Sequence, residues 1–205
     1  MAFIELKNIS FKYEDDSKSV FEGFDFCVER GELRHIPWGN GKGKSTLFKI
    51  LNGLLFPSEG TYTLNGQVID RKVLKDEKNL KYFHKHVGFL FQNVDSMLFN
   101  PTVYDEVAFG PRQMGLSEEE VDKRTKDCLS LLEIDNLSER SPYHLSGGQK
   151  KKVAFASVLA LNPTVYVLDE PFNDLDDEAR ELFKRIIKNL NGAGKTIIFA
   201  GHGEI

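Results

Sequence analysis

At 205 residues and 23.3 kDa, the chain has room for one domain, or one domain carrying a subdomain, around a sizeable core. Hydrophobic residues at 40% and charged residues at 28% give a soluble globular balance and exclude a disordered or membrane-spanning class. A formal net charge of −4 with a pI near 5.8 supplies no basic footprint, so no nucleic-acid partner is expected.

The first residues, MAFIELKNIS, lack the basic start and apolar run of a signal peptide, and no stretch of about 18 apolar residues could span a bilayer. A cytosolic location is the expectation. Phe24, Phe26 and Val28 alternate as in a half-buried strand, and Asn65-Gly66 separates two strand-like runs between residues 61 and 69, a hairpin signal. The first third therefore predicts antiparallel sheet. Residues 87–91, 165–168 and 196–199 are short apolar runs with polar residues at their C-terminal ends, as buried parallel strands read. That places Gln92, Asp169 and Glu170 where α/β sheets hold ligands. Between Gln92 and Pro163 the pattern is mostly helical, with a capping box at residues 117–120 and a helix-compatible run at 150–161. Ala179, Leu182, Phe183, Ile186, Ile187 and Leu190 trace one face of a further helix, ended by Gly192 and Gly194. Cys27 and Cys128 stand far apart without C-x-x-C spacing and are expected as small buried hydrophobes. His84 and His86 are expected to be solvated rather than a metal pair.

Three stretches carry chemistry. The run GKGKST, residues 41–46, offers backbone N–H groups and a following helix N-terminus to phosphate oxygens, with Lys44 reaching the β- and γ-phosphates and Ser45 placed to ligate Mg²⁺. By itself it also reads as an ordinary glycine-rich turn. The strand VYVLDE, residues 165–170, ends in two carboxylates, as P-loop enzymes hold Mg²⁺ and orient water. The turn LSGGQ, residues 145–149, opens a helix with a serine and two glycines, an anion site without a lysine.

The ordered set Tyr13, GKGKST, Gln92, LSGGQ, LDEP, Leu175-Asp176 and His202 resembles the ATPase cassette of ATP-binding cassette (ABC) transporters over nearly the whole chain. LFNPTVYDEVAFGP followed by GLSEEEV is most similar to the ATPases of energy-coupling-factor importers, including the cobalt and nickel systems. The resemblance implies an α/β fold: a P-loop NTPase with a RecA-like core, an antiparallel β subdomain and a helical signature subdomain. It implies one domain over 1–205, with the core and β subdomain in 1–92 and 162–205 and the helical part in 93–161. It further implies ATP and Mg²⁺ as cofactors, with Tyr13 stacked on adenine. Asn40, Gly41, Lys42, Gly43, Lys44, Ser45 and Thr46 would hold the triphosphate. Ser45, Gln92 and Asp169 would serve the metal, Gln92 would also bridge to the attacking water and the membrane partner, Glu170 would be the general base, and His202 would contact the γ-phosphate. Ser146, Gly147, Gly148 and Gln149 would close over ATP on a second cassette. The implied partners are that second ATPase subunit, identical or different, and an integral membrane subunit, which puts the chain on the inner face of the membrane.

The sequence departs from that family at several places. Arg34 and His35 stand in a strand expected to be buried, Pro37 ends it, and Trp38 replaces a glycine of the phosphate loop. A left-handed backbone at Trp38 would cost about 1 to 2 kcal/mol, and an unpaired Arg34 several kcal/mol. Impaired catalysis is therefore an expectation. Asp174 replaces a glycine near the subunit interface, His202 lies in Ala-Gly-His-Gly, and the chain stops at Ile205 where family members continue, so a C-terminally truncated fold is expected. The other readings are a non-hydrolysing subunit that dimerises on nucleotide and a soluble ABC ATPase outside transport. The apolar triplet Met97, Leu98 and Phe99 is expected as an exposed patch for the membrane subunit.

Overall fold

A computed structural model describes residues 2–14, 18–39 and 42–201. The chain opens with β1 (Ile4–Phe11) and β2 (Phe21–Val28), continues into β3 (Leu33–Ile36) and α1 (Lys44–Leu51), and then forms β4 (Glu59–Leu64) and β5 (Gln67–Val68). After α2 (Glu77–His86) and β6 (Val87–Leu90) come α3 (Val103–Gln113), α4 (Glu118–Leu131) and α5 (Gly147–Ala160). The last elements are β7 (Val165–Asp169), α6 (Asp177–Gly192) and β8 (Thr196–Ala200).

One sheet is antiparallel with the order β2-β1-β4-β5. Asn65 and Gly66 both take positive φ at its hairpin, the turn the sequence predicts. Its central strand, β1, was not legible, because Asn8 sits left-handed at φ 52 and interrupts the alternation of Ile4 and Leu6 with Ile9 and Phe11. The second sheet is parallel with the order β3-β8-β7-β6. Its faces divide by residue parity: Val165, Val167, Ile198 and Ala200 join α1 and the inward side of the antiparallel sheet, while Tyr166, Leu168, Ile197 and Phe199 join α5 and α6. All three parallel runs expected from the sequence are present, and α6 spans the expected crossover.

Within the helical stretch, α4 begins with the expected capping box between Ser117 and Glu120, and α5 begins three residues before the expected run at 150–161 because Ser146 caps it. Several expectations are corrected. Arg34 is not an unpaired charge in a buried strand: β3 is an edge among the described strands, and the Arg34 guanidinium meets Glu32 at 2.7 Å. Cys27 is exposed on β2, whose outer residues face solvent, and Cys128 is partly buried on α4. Burial pushes the Cys128 thiol up to about 12.

Candidate nucleotide site

The first glycine turn leaves β3 and runs into α1 with Gly43 as its N-cap at φ 85. Only glycine fits: a Cβ there would lie 2.8 Å from Val20 Cγ1 and 3.0 Å from the Phe21 ring, in a conformation other residues avoid. No side chain among the described residues caps α1, so its first-turn N–H groups and the positive end of its dipole stay available to an anion. Tyr13, Val20, Gly43, Lys44, Ser45, Thr46 and Gln92 line one cavity of about 300 Å³ beside this helix start. The Tyr13 hydroxyl lies 3.0 Å from Thr46 Oγ1, fixing its ring at the cavity wall. Lys42 and Ser45 are exposed. Asn40 and Gly41 lie outside the described residues, as does His202.

Trp38 does not take the left-handed conformation expected of a glycine position. Its ring packs edge-on against Phe24 at 5.5 Å and tilts against Phe21 at 6.3 Å, on the antiparallel side. The ring therefore lies against the strand aromatics, and Trp38 is not among the residues lining the cavity.

Asp169 ends β7, and Glu170 follows it; each is 5% exposed. Glu170 is left-handed at φ 50, and its N–H donates to the Ala200 carbonyl at 2.9 Å, a strained turn held by β8 of the sort that clusters at functional sites. The Lys44 ammonium, 7% exposed, forms an ion pair with Glu170 Oε1. Among the described residues, Asp169 Oδ1 and Glu170 Oε2 are buried with no hydrogen-bond partner. Burial pushes the Asp169 carboxyl above its ordinary range, opposed by the charge of Lys44. Two unused carboxylate oxygens beside the Ser45 turn are the hard donors that Mg²⁺ takes, so the residues fit that ion. Gly201 closes over the pair, since a Cβ there would come within 2.6 Å of Glu170 Oε2. His35, read from sequence as a misfit, stacks on Phe199 at 4.6 Å and holds Gly201 through a contact of 3.0 Å between Nε2 and the carbonyl.

The second glycine turn lies elsewhere. Ser146 Oγ accepts from Gln149 N at 3.3 Å and Gln149 Oε1 accepts from Ser146 N at 3.1 Å, a capping box that leaves the Gly147 and Gly148 amides open. Ser146, Gly148 and Gln149 border a separate cavity of about 540 Å³ with Asp174 and Asp176. A Cβ at Gly148 would press on the Asp174 carbonyl at 3.3 Å, and Asp174 itself is left-handed at φ 63. Within one chain the two glycine turns therefore border different cavities.

The triplet after Gln92 divides. Leu98 is core at 4% exposure, whereas Phe99 is 57% exposed and packs edge-on against Phe109 at 4.9 Å. Leu98 is thus corrected from patch to core. Phe99, Phe109, Phe89, Phe91 and Met97 line a mostly apolar groove of about 290 Å³. Sequence reading missed Lys151, a lysine on α5 that is 1% exposed and donates towards the Gln92 carbonyl at 3.5 Å. Its signal was a charge just before an apolar run. Burial lowers the proton affinity of its ammonium, against the pull of Asp174, Asp169 and Glu170.

A glycine-capped helix start carrying a buried lysine opposite a strand-end carboxylate pair defines a P-loop nucleoside-triphosphate-binding protein. The family model described as ABC transporter matches residues 21–173, and the chain belongs to that family. It is 45% identical to the nickel import ATP-binding protein LarO of Lactiplantibacillus plantarum over 97% of this chain and 82% of that protein. It is 43% identical to the energy-coupling factor transporter ATP-binding protein EcfA of Methanococcus maripaludis over 98% of this chain and 71% of that protein. Among solved structures, cbiO1 from Clostridium perfringens, part of the ABC transporter complex cbiONQ, aligns with a TM-score of 0.81 and 35% identity over 98% of this chain and 79% of that one. A dimeric ATP-binding cassette in a post-hydrolysis state bound to ADP and Pi aligns with a TM-score of 0.89 and 28% identity, over 98% and 88%. The chain is thus an ABC ATPase, the ATP-binding subunit of a transporter, with relatives of energy-coupling-factor type. Among the described residues no helix is long and apolar enough to cross a membrane.

Proposed function

We propose that the chain binds Mg-ATP and hydrolyses it to drive an energy-coupling-factor importer of a transition metal or vitamin, from the inner face of the membrane. The observation that carries this reading is the meeting of Lys44 with Glu170 beside the unpartnered oxygens of Asp169 and Glu170.

The amides of the Gly43 turn and Lys44 grip the triphosphate, and Tyr13 lies under the base. Lys44 then leaves Glu170 for the phosphates, which frees the carboxylate. Glu170 takes a proton from water as its oxygen bonds to the γ-phosphorus and the bond to the β–γ bridging oxygen breaks, releasing ADP. Gln92 and His202 orient the water and the γ-phosphate. Ser45, Gln92 and Asp169 would hold Mg²⁺, which would supply charge neutralisation to the phosphates. Ser146, Gly147, Gly148 and Gln149 complete the site of a second cassette facing head to tail. The segment 93–161 serves as the helical subdomain, and the groove at Phe99 receives the membrane subunit.

Titration with Mg-ATP alongside phosphate release tests the reading. Glu170→Gln should lower turnover by about 10²- to 10⁴-fold, as expected for a lost general base, while ATP still holds two cassettes together in sedimentation. Binding without phosphate release in the parent, even with the membrane subunit present, would instead identify a nucleotide-dependent dimerising subunit. For the groove, Phe99→Asp should weaken assembly with the membrane subunit at unchanged thermal midpoint. A collapse of folding in that variant would place Phe99 with Leu98 in the core.

A further inference from the structure

From residue 153 onward α5 is mostly apolar and almost wholly buried, yet two residues nearer its start Lys151 is buried as well, at 1% exposure. A buried ammonium is retained only where other groups compensate its lost hydration. Here these are the Gln92 carbonyl at 3.5 Å and the negative field of Asp174, Asp169 and Glu170. The neighbouring Lys150 reaches the same segment from the surface, pairing with Asp95 at 2.7 Å. Lys151 also follows Gly147 by four residues, so it stands one turn behind the signature glycines on the same helix face.

We propose that Lys151 is a positioning residue that links the nucleotide site of its own chain to the signature turn this chain offers to a second cassette. The link rests on the ATPase reading above, in which Gln92, Asp169 and Glu170 belong to the nucleotide site. Lys44 is paired with Glu170, and the negative field of Asp174, Asp169 and Glu170 acts on Lys151. Filling that site changes the charge balance of the cluster and so changes its attraction for Lys151. The Gln92 carbonyl contact does not depend on that charge. Lys151 therefore interacts differently with the empty and the filled site, which is what a coupling between two sites requires. Because its backbone is rigidly continuous with Gly147 and Gly148, the start of α5 takes up the difference.

The test compares the full chain with Lys151→Met and Lys151→Arg. Three quantities are read: affinity for a fluorescent ATP analogue with Mg²⁺, the ATP concentration at the midpoint of dimer formation in sedimentation, and kcat with KM for phosphate release. Lys151→Met should weaken nucleotide binding and raise the dimer midpoint, each by about tenfold, and lower kcat, because a cation that interacts differently with the empty and the filled site contributes to nucleotide affinity as well as to the coupling. Lys151→Arg should recover nucleotide affinity, dimer formation and kcat. If Lys151→Met does not fold, Lys151→Gln replaces it, keeping a donor for the Gln92 carbonyl without the charge, with the same loss expected. Parent-like dimer formation and kcat in the folded neutral variant would overturn the proposal. So would equal losses in the Arg and neutral variants accompanied by a lowered thermal midpoint, since Lys151 would then be structural. A parent that binds no Mg-ATP overturns the ATPase reading and this link with it, whereas a nucleotide-binding parent with a silent Lys151 overturns the link alone.

Discussion

The starts of α1 and α5 are both glycine-built, yet they treat their free backbone donors in opposite ways. At α1 no side chain among the described residues caps the first turn, the left-handed Gly43 opens it, and Lys44 brings a buried cation into the same space. At α5 the Ser146 and Gln149 side chains satisfy each other's amides, leaving two glycine N–H groups and no lysine in the turn itself. A hydrogen bond to a charged group contributes about 1.5 to 3 kcal/mol, while a helix dipole alone contributes about 0.3 to 1 kcal/mol. The first start is built to hold a polyanion unaided. The second suits an anion already held by another surface, which gives a physical reason for pairing two cassettes.

The largest effect should come from removing the cation that separates the two. Lys44→Met should weaken Mg-ATP binding by at least about tenfold, the loss of one charge-assisted bond, and calorimetric titration measures it. Affinity within threefold of the parent would erase the distinction between the two starts. The same substitution strands Glu170 in the interior without its partner, so urea unfolding should also report a destabilised chain. At the second start, Ser146→Ala should cost about 1 kcal/mol of stability as a lost N-cap and leave nucleotide binding by dilute monomer unchanged. ATP-driven pairing should become weaker. A fall in monomer affinity would mean that the second start already serves its own chain.

How much of this was legible in the sequence follows the same division. Both glycine turns and the strand ending in Asp169 and Glu170 were readable because each needs a fixed spacing of small, cationic or acidic residues next to a regular element. The parallel strands and α6 were readable from apolar runs and helical periodicity. β1 was hidden by the left-handed Asn8, a local break in alternation that only its two strand partners repair. Lys151 was hidden because burial of a lysine is decided by three-dimensional neighbours. Leu98 and Phe99 are adjacent and equally apolar, and nothing local distinguishes the one that enters the core from the one at the groove. Arg34 was misread because the edge position of β3 among the described strands is a property of strand order.

Trp38 gives the smallest and sharpest test of the first glycine turn. A tryptophan in place of a loop glycine suggests either a strained backbone or a ring filling phosphate space, and each would make Trp38→Gly a gain in affinity. The structure supports neither, because Trp38 lacks a positive φ and its ring lies against Phe24 and Phe21. Such aromatic contacts contribute about 0.5 to 1.5 kcal/mol beyond buried area, and a new glycine adds an entropic cost of up to about 1 kcal/mol. Trp38→Gly should therefore lower stability by about 1 to 2 kcal/mol, seen as an earlier urea midpoint. Its Mg-ATP affinity should stay within threefold of the parent, since the cavity wall beside Lys44 is left unchanged. Trp38 is the chain's single tryptophan, so the parent's own fluorescence provides an independent reading of that environment. Its emission should shift little on saturation with Mg-ATP and markedly on unfolding. A tenfold gain in affinity for Trp38→Gly, or strong quenching by nucleotide in the parent, would move the ring into the phosphate site and make the first glycine turn the obstructed member of the pair.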